Sequence, residues 1–500
     1  MQPSETFEDI FEDIRERIET FLLGLRHPVL TEAGREVIDL STSHYSLTTE
    51  HNKLLWHVWN DQTNLVRQIT GIRRESPVRM ELRFQKFGKG PPGVLALAES
   101  RATPQQLGLR SRRALFSKQL RRILAQLYPD WKLGALTSEA DLAHSFSGRY
   151  TRGWLSRGQR TWAVIGVGEQ EDISTVEGIL AYGIIWLDYL RHQDHKRVVE
   201  GLKIFVPANS PSSLLYRLYW LDSNLAHWEV YETGDEVRLL STADTGNLKT
   251  HLPPLHALPP RQTHWEAWIE QVLACSPDVE ARQDPQGLRL FSIRGLTVAR
   301  ETPKGLVFGV GQSETTLQDS TIADFRALLS NVLRYRHPQS EDRQHPYFLV
   351  QPERWMQSIL AQQMDRLGYD LDSGVFYEQV PAVSGAERGL MDLLAINSDG
   401  RLVVAELKAS EDIHLPLQAL DYWMRVHWHH QRGEFERLRY FPGHVLSAQP
   451  PLLLLICPAL QFHPACETIL RYFSSTIEAV RVGLNENWRE QLQVVFRCPR

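Results

Sequence analysis

The stretch 390-LMDLLAINSDGRLVVAELK-408 decides the fold of the second half of this chain. Two apolar runs flank Asn397-Ser398-Asp399-Gly400, a pattern typical of a β-hairpin. If Ser398-Asp399-Gly400 forms a three-residue loop with Gly400 left-handed, Asp392 lies directly opposite Glu406 on one face. A loop of two or four residues would place these carboxylates on opposite faces.

Lys408 shares the face of Glu406 because side chains alternate along a strand. Two buried carboxylates repel each other, and desolvation raises their pKa values, so such a pair needs a positive partner. A divalent metal meets that need, and oxygen ligands favour Mg²⁺ or Mn²⁺. The alternative interpretation of a lone Glu-x-Lys is an ion pair at a strand end.

The elements around this hairpin follow the order αβββαβ. They are a helix at 351–367, strands at 375–382, 390–396 and 401–408, a helix at 415–430 and a strand at 452–457. The first half of the chain repeats that order with a helix at 115–128, strands at 150–156 and 161–167, a helix at 175–191 and a strand at 201–208.

Short matches between the halves, in the same order, predict an internal duplication. Ile123-Leu124-Ala125-Gln126 matches Ile359-Leu360-Ala361-Gln362, and Asp188-Tyr189 matches Asp421-Tyr422. We therefore predict an α/β protein with two αβββαβ modules and additional β-rich segments. Chance similarity between two βαβ units is the alternative.

Asp392, Glu406-Leu407-Lys408, Gln418 and Tyr422 resemble the motif of the PD-(D/E)XK nuclease superfamily, in particular its RecB-like branch. The C-terminal domain of archaeal structure- and mismatch-specific endonucleases is similar. The resemblance covers residues 351–460, and Met391 stands where the superfamily name has Pro. The early acidic residue of the family is either Glu353 or Glu378.

The resemblance implies restriction-endonuclease-like modules and a Mg²⁺- or Mn²⁺-dependent endonuclease. Asp392, Glu406 and the Leu407 carbonyl would hold the metal, and Lys408 would handle the water or the developing charge. Gln418 and Tyr422 would position water, phosphate or strand. DNA is the favoured substrate, in repair or defence. RNA, single strands, or nucleic-acid binding by a vestigial site remain alternatives.

The first module lacks the candidate catalytic residues in this alignment, so we predict that it is a degenerate copy. The equivalents of Asp392, Glu406, Lys408, Glu353 and Glu378 are Ser156, Gly166, Gly168, Ser117 and Leu142.

The predicted domains are residues 1–100, a helix and a β-rich basic region, and residues 101–210, the degenerate module. Residues 211–345 form a β-rich middle region with a Pro-rich linker near 252–262, and residues 346–500 form the nuclease domain. Hairpins are expected at 36–98, 214–241 and 288–310.

Positive charge is concentrated between Gln62 and Ala125, where fourteen Lys and Arg residues stand against three acidic residues. Such a block is typical of a surface that binds the phosphate backbone, and a solvated face is the alternative. The candidate nucleic-acid-binding residues are Arg73, Arg74, Arg79, Arg112, Arg113, Lys118, Arg121 and Arg122.

The remaining features limit the class of protein. Four separated cysteines without a C-x-x-C pair, and no signal peptide, favour a cytoplasmic protein. Apolar runs are shorter than a membrane span, and no Walker loop indicates a built-in ATPase. His427, His429 and His430 are interpreted as surface or nucleic-acid contacts rather than metal ligands. A homodimer is left open.

Overall fold

The computed structural model describes residues 7–23, 25, 28–32, 35–40, 43–50, 53–59, 64–76, 78–85, 92–99, 104–193, 197–208, 210, 213–234, 236–242, 250–254, 266–283, 288–311, 314–384 and 387–500. The chain divides into two units, Met1–Phe116 and Ser117–Arg500. The structure confirms the mixed helix-and-sheet class: the described residues form eleven α-helices and four sheets.

The first unit is an amphipathic helix on an antiparallel sheet. Ile14, Ile18 and Leu22 of the helix lie in one core with Trp56 and Leu82 of the sheet. The strand order is β2-β1-β7-β6-β5-β4-β3. Its elements are α1 (Phe7–Leu23), β1 (Pro28–Glu32), β2 (Arg35–Asp39), β3 (His44–Glu50), β4 (Lys53–Trp59), β5 (Asn64–Ser76), β6 (Arg79–Gln85) and β7 (Gly93–Glu99).

The second unit begins within a long helix and contains a six-stranded mixed sheet, which we call the first module. The strands lie in the order β8 to β13. The elements are α2 (Pro104–Leu127), which spans the boundary between the units, β8 (Lys132–Leu133), β9 (Thr151–Arg157), β10 (Arg160–Gly166), α3 (Ile173–Gln193), β11 (Val198–Pro207), α4 (Ser213–Tyr219), β12 (His227–Thr233) and β13 (Arg238–Leu240).

A smaller antiparallel sheet follows as the middle region. Its core joins Phe291 and Val298 of the sheet to Phe325 and Leu329 of a helix. The elements are α5 (Glu266–Ala274), β14 (Val279–Gln283), β15 (Arg289–Ile293), β16 (Leu296–Thr302), β17 (Gly305–Phe308), β18 (Thr315–Thr316), α6 (Ile322–Tyr335) and α7 (Pro346–Leu349).

The C-terminal part, which we call the second module, is built on another six-stranded sheet in the order β19 to β24. Its elements are α8 (Pro352–Ala361), β19 (Leu371–Ser384), β20 (Glu387–Asn397), β21 (Leu402–Leu407), α9 (Leu415–Gln431), α10 (Glu434–Arg437), β22 (Leu452–Pro458), α11 (Ala465–Arg471), β23 (Ala479–Leu484) and β24 (Val494–Pro499).

The two modules have the same strand order and the same strand directions. In each sheet the first two pairings are antiparallel, the next two are parallel and the last is antiparallel. The first parallel pairing is connected through α3 in one module and α9 in the other. This repetition lies in the pairing pattern of the strands.

Ion pairs join the two modules in a reciprocal way. Arg217 on α4 binds both carboxylate oxygens of Asp421 on α9, with Nε–Oδ1 and Nη2–Oδ2 distances of 2.8 and 2.6 Å. Arg471 on α11 approaches Asp188 on α3 with an Nη2–Oδ2 distance of 3.4 Å. The two aspartates are the pair that the sequence alignment equates, so each module supplies an arginine to the other module's aspartate.

Residues 213–240 differ from the expectation of strand hairpins. Ser213–Tyr219 is helix α4, which buries Leu214, Arg217 and Leu218 at helical spacing. Strands β12 and β13 complete the first module's sheet, although the sequence analysis assigned them to the middle region. The aromatic residues of this segment favour a strand in isolation, but contact with α9 gives a helix a buried face. Of the predicted linker, residues 255–262 lie outside the described part.

Helix α3 has 21 residues, although the sequence analysis expected apolar runs shorter than a membrane span. By length and composition it could cross a membrane, and 61% of its most apolar window is buried inside the protein. It lies on the first module's sheet, where Ile179, Leu180 and Ile184 are fully buried. That burial is typical of a core helix.

Candidate active site

The hairpin at the centre of the second module has the predicted geometry. Leu393 pairs with Ala405 and Leu394 with Val404. The Asn397 N–H donates to the Arg401 carbonyl at 3.0 Å, and Gly400 has a φ of 75°. The three-residue loop is confirmed, and the register carried one residue further sets Asp392 opposite Glu406.

The carboxylate of Glu406 is buried against another carboxylate. Its side chain is 2% exposed, and Oε2 has no hydrogen-bond partner within the described residues. Burial, and then the nearby charge of Asp392, raise the pKa of Glu406 well above its usual value. Asp392 Oδ2 accepts a hydrogen bond from the Leu407 N–H at 2.9 Å. The backbone thus holds one carboxylate while the other keeps a lone pair unsatisfied.

Lys408 lies beside this pair and has a carboxylate partner that the sequence analysis missed. Its Nζ is 3.3 Å from Asp412 Oδ2. Burial lowers the pKa of the Lys408 ammonium, but the charges of Asp412 and Glu406 outweigh that effect and raise it overall. Lys408 therefore stays cationic at neutral pH. The signal for Asp412 was its position four residues after Lys408.

The structure distinguishes the two candidates for the early acidic residue. Glu353, in the first turn of α8, accepts a hydrogen bond at Oε1 from the Ala409 N–H at 3.2 Å, just beyond the end of β21. Glu378 pairs with Leu393, so it lies on the sheet face opposite to Asp392, and it forms an ion pair with Arg282. Only Glu353 of the two lies at the end of the strand that carries Glu406.

Gln418 and Tyr422 lie one helical turn apart on α9 and are hydrogen-bonded to each other. Burial, followed by the charge of Glu406, raises the pKa of the Tyr422 hydroxyl, while the hydrogen bond from Gln418 opposes that shift. The phenol is therefore neutral and close enough to the carboxylates to feel their charge.

Both residues line a cavity of about 290 Å³ between the modules. Ser174, Glu177 and Gly178 of α3 form the wall contributed by the first module, together with the Arg217–Asp421 ion pair. Arg425 also lines the cavity; its side chain is buried, and its Nε has no partner within the described residues. The cavity beside Gln418 and Tyr422 is thus walled by both modules.

Asp392 and Glu406 are the candidate ligands of a divalent metal. Within the described residues no cluster of three or more His, Cys, Asp or Glu side chains could enclose a metal. Asp392 and Glu406 supply two carboxyl groups that are hydrogen-bonded to each other, and Oε2 of Glu406 has no partner within the described residues; a bound cation would favour the ionised form of this pair. Oxygen donors of this kind fit Mg²⁺ or Mn²⁺ with water completing the shell.

At the equivalent positions of the first module the described residues carry no carboxylate or ammonium, and the strand register changes which residues correspond. Ser156 pairs with Thr161, and Gly166 pairs with Thr151. The hairpin here has only two residues between the paired Arg157 and Arg160, so its register differs from that of the second module. Thr151, rather than Ser156, therefore stands opposite Gly166.

The structure divides the predicted basic block between the two units. Arg73, Arg74 and Arg79 are exposed on β5 and β6 of the first unit, where Arg73 and Arg79 lie near Glu81. Lys118, Arg121 and Arg122 are exposed on α2 within the second unit, and Arg113 is half-buried. The side chain of Arg112 lies outside the described part.

Two of the three helix α9 histidines are not on the surface, contrary to the interpretation from sequence. His427 and His429 are buried. His429 is hydrogen-bonded to Glu434 through Nδ1 and to Thr250 through Nε2. The helix is buried on nearly all sides because it packs on the sheet and also against α4 and α11, contacts that a single-helix pattern does not reveal.

All four cysteines, Cys275, Cys457, Cys466 and Cys498, are free. Burial raises the pKa of the Cys457 and Cys466 thiols to about 12, so neither is a ready nucleophile.

Comparison with protein-family models and with curated proteins finds no match to this chain.

Proposed function

We propose that the second module is a metal-dependent endonuclease that hydrolyses phosphodiester bonds, with DNA as the favoured substrate and repair or defence as the setting. The observation that carries this proposal is the buried Oε2 of Glu406, unpartnered within the described residues, opposite Asp392. Lys408 offsets only part of the repulsion between the two carboxylates because it is also paired with Asp412, so the ionised pair remains unfavourable in such surroundings. A bound metal would offset the repulsion within the pair, so a metal-binding role explains why the two carboxylates lie together.

The side chains have separate roles in this proposal. Asp392, Glu406 and the Leu407 carbonyl would hold Mg²⁺ or Mn²⁺, which supplies positive charge to phosphate oxygens and acidifies bound water. Lys408 stays protonated beside Asp412 and neutralises charge that develops on the phosphate. The hydrogen-bonded Gln418 and Tyr422 orient the strand from the cavity wall. Glu353 positions the chain after β21 through the Ala409 N–H.

The first module is proposed as a degenerate copy of the same restriction-endonuclease-like unit. Its matching strand pairing supports a common origin, and Thr151, Gly166 and Gly168 offer no carboxylate or ammonium at the equivalent strand ends. Its proposed role is to complete the wall of the cavity beside Gln418 and Tyr422. One metal centre per chain follows from this assignment.

The test is cleavage of supercoiled plasmid, linear duplex, single-stranded DNA and RNA, each with Mg²⁺ or with chelator. The expected result is Mg²⁺-dependent cleavage in which nicked circles precede linear plasmid, because one site cuts one strand per encounter. Glu406→Ala and Lys408→Ala should each lower the rate by about 10² or more. Glu411→Ala, at an exposed acid nearby, is the matched control and should cut normally.

If Glu406→Ala cleaves at the wild-type rate, the proposal for this site is wrong. If the wild type cleaves equally fast in chelator and in Mg²⁺, the metal has no role in cleavage. If no nucleic acid is cut while the protein still binds it, the alternative of a vestigial site in a nucleic-acid-binding protein takes its place.

A second candidate, a nuclease specific for single strands of DNA or RNA, is favoured by the burial of the site. Glu406 is almost inaccessible, and the adjoining cavity of about 290 Å³ is the size of a small ligand rather than of a duplex. Faster cleavage of single strands than of duplex in the same assay would select this candidate.

A further inference from the structure

A second cavity, of about 130 Å³, lies on the other side of the contact between α4 and α9. It does not include Gln418, Tyr422 or any other residue of the proposed catalytic set. Its lining includes Tyr219, Trp220, Met424, His427, Trp428 and Gln431. Most of this lining is aromatic, and Met424 is buried beneath it.

His427 contributes an imidazole ring to this lining. Its side chain is 7% exposed, and its Nδ1 has no hydrogen-bond partner within the part of the chain that the structure describes. The imidazole stacks on Trp423, with ring centroids 4.7 Å apart, and meets Trp220 edge-on at 5.3 Å. A buried polar group without a partner costs free energy, but Nδ1 has almost no accessible surface, so a ligand in the cavity would meet the rest of the imidazole.

The protonation of His427 suits hydrogen bonding rather than charge. Burial, and then the nearby His430, lower the pKa of the imidazole. The ring is therefore neutral at pH 7, and a neutral imidazole carries one donor nitrogen and one acceptor nitrogen. The amide of the exposed Gln431 adds a second group with both donor and acceptor character.

The size and the charge of the cavity limit what it can hold. A closed apolar cavity of about 150 Å³ accommodates one benzene molecule, so this one accommodates a single flat ring. The exposed guanidinium of Arg432 lies over the Trp428 ring, 3.3 Å from its centroid. A cation adjoining an aromatic cavity favours a ligand that carries a ring and a negative charge together.

We propose that this cavity binds one unpaired nucleobase, with Arg432 contacting the attached phosphate. Base stacking on aromatic side chains, hydrogen bonds to the base edge from His427 and Gln431, and a nearby guanidinium form the combination that recognises unpaired nucleotides. An apolar side chain of a protein partner would leave both hydrogen-bonding groups and the charge unused. The proposal does not depend on nuclease activity.

The experiment measures binding to the full chain in chelator, so that no strand is cut. The probes are a short single-stranded oligonucleotide, an abasic strand of equal length, and free nucleoside monophosphates. Calorimetry and tryptophan fluorescence measure the affinity for each probe. The base-containing strand should bind about tenfold more tightly than the abasic strand. His427→Phe, Trp428→Ala and Gln431→Ala should each remove much of that difference, while the control Trp131→Leu, outside the cavity, should keep it.

The two nucleotide sources give different results. If free monophosphates bind and the three variants weaken them equally, the ligand is a free nucleotide; if only the strand binds, it is a base within a strand. Equal affinity for normal and abasic strands together with no monophosphate binding overturns the proposal. So does unchanged binding by Gln431→Ala and Trp428→Ala. Gln431 is exposed, so its variant remains informative even if His427→Phe fails to fold.

Discussion

Leu221 and Phe473 form an isolated antiparallel bridge between the two modules, each two residues after the end of the corresponding helix, α4 or α11. The Asp222 N–H donates to the Tyr472 carbonyl at 2.8 Å, and the Ser474 N–H donates to the Trp220 carbonyl at 2.7 Å. The two hydrogen bonds are equivalent: a two-fold rotation that places one module on the other also places one bond on the other. The modules therefore meet as the halves of a two-fold dimer do, with the same patch used on both sides.

The ion pair between Arg217 and Asp421 should stabilise this interface. Both side chains are largely buried, and Arg217 also donates to the Glu177 carbonyl at 2.8 Å. Removing one partner leaves a buried charge uncompensated, so Asp421→Asn should lower the free energy of unfolding by about 3 kcal/mol. Chemical denaturation of the single variants and of the double variant with Arg217→Met measures the coupling. Additive effects would show that the pair contributes no coupling.

Gly400→Val should damage the candidate site through the hairpin. Gly400 has a φ of 75°, and a Cβ there would lie 2.0 Å from the Val445 carbonyl oxygen. We expect a loss of about 2 kcal/mol or more in the free energy of unfolding and loss of cleavage, because the pairing of Asp392 with Glu406 depends on this turn. The matched control is Gly158→Val, at the turn of the first module's hairpin, with a φ of 61° and no atom in the way. Normal cleavage by the Gly400 variant would contradict the dependence of the site on this turn.

The buried Glu406 should make stability depend on pH and on divalent cations. Its folded pKa lies above the ordinary 4.5, so the folded state holds a proton that the unfolded state has lost, and stability falls as pH rises from 4.5 through the folded pKa. Glu406→Gln should remove that fall and raise the melting temperature at neutral pH in chelator. Mg²⁺ should raise the melting temperature of the wild type and have less effect on the variant. Glu411→Gln should behave as wild type, and an equal Mg²⁺ effect on Glu406→Gln would exclude Glu406 as a ligand.

The exposed cations of α2 should contribute to nucleic-acid affinity by charge. Replacing Lys118, Arg121 and Arg122 with Ala should reduce the slope of log affinity against log salt by about 2 to 3, since each phosphate contact contributes about 0.9. Binding titrations over a range of salt concentrations measure the slope. Lys304→Ala with Arg326→Ala changes exposed cations of the middle region and serves as the control. If the α2 variant has an unchanged slope, these residues do not contact phosphates and form a solvated face instead.

Local rules were sufficient for the hairpin and for most elements of both modules. Ser398-Asp399-Gly400 specifies its own loop geometry, and strand alternation then places Asp392 and Glu406 without any distant contact. The same local rule explains the error in the first module: the turn Gly158-Gln159 is one residue shorter, and an alignment by residue identity ignored that difference.

The features that sequence reasoning missed depend on contacts between distant segments. Helix α4, the burial of His427 and the Arg217–Asp421 ion pair arise where the first module packs on α9, and His429 is buried by its contacts with Glu434 and Thr250. The strand register places Glu378 on the sheet face opposite to Asp392, and a contact from helix α8 to the Ala409 N–H places Glu353 near the end of β21; neither contact can be read from the sequence. Periodicity within one segment carries no information about such partners.

The two-fold arrangement within one chain also lets its two halves carry different residues at matching positions. In a dimer of identical chains, each substitution changes both subunits at once, whereas a fused pair allows Gly166 to stand in one half while Glu406 stands in the other. The tether keeps the effective concentration of one module near the other in the millimolar range, so their association does not depend on how much protein the cell makes. Dilution should therefore never separate the half that holds the carboxylates from the half that walls the cavity beside them.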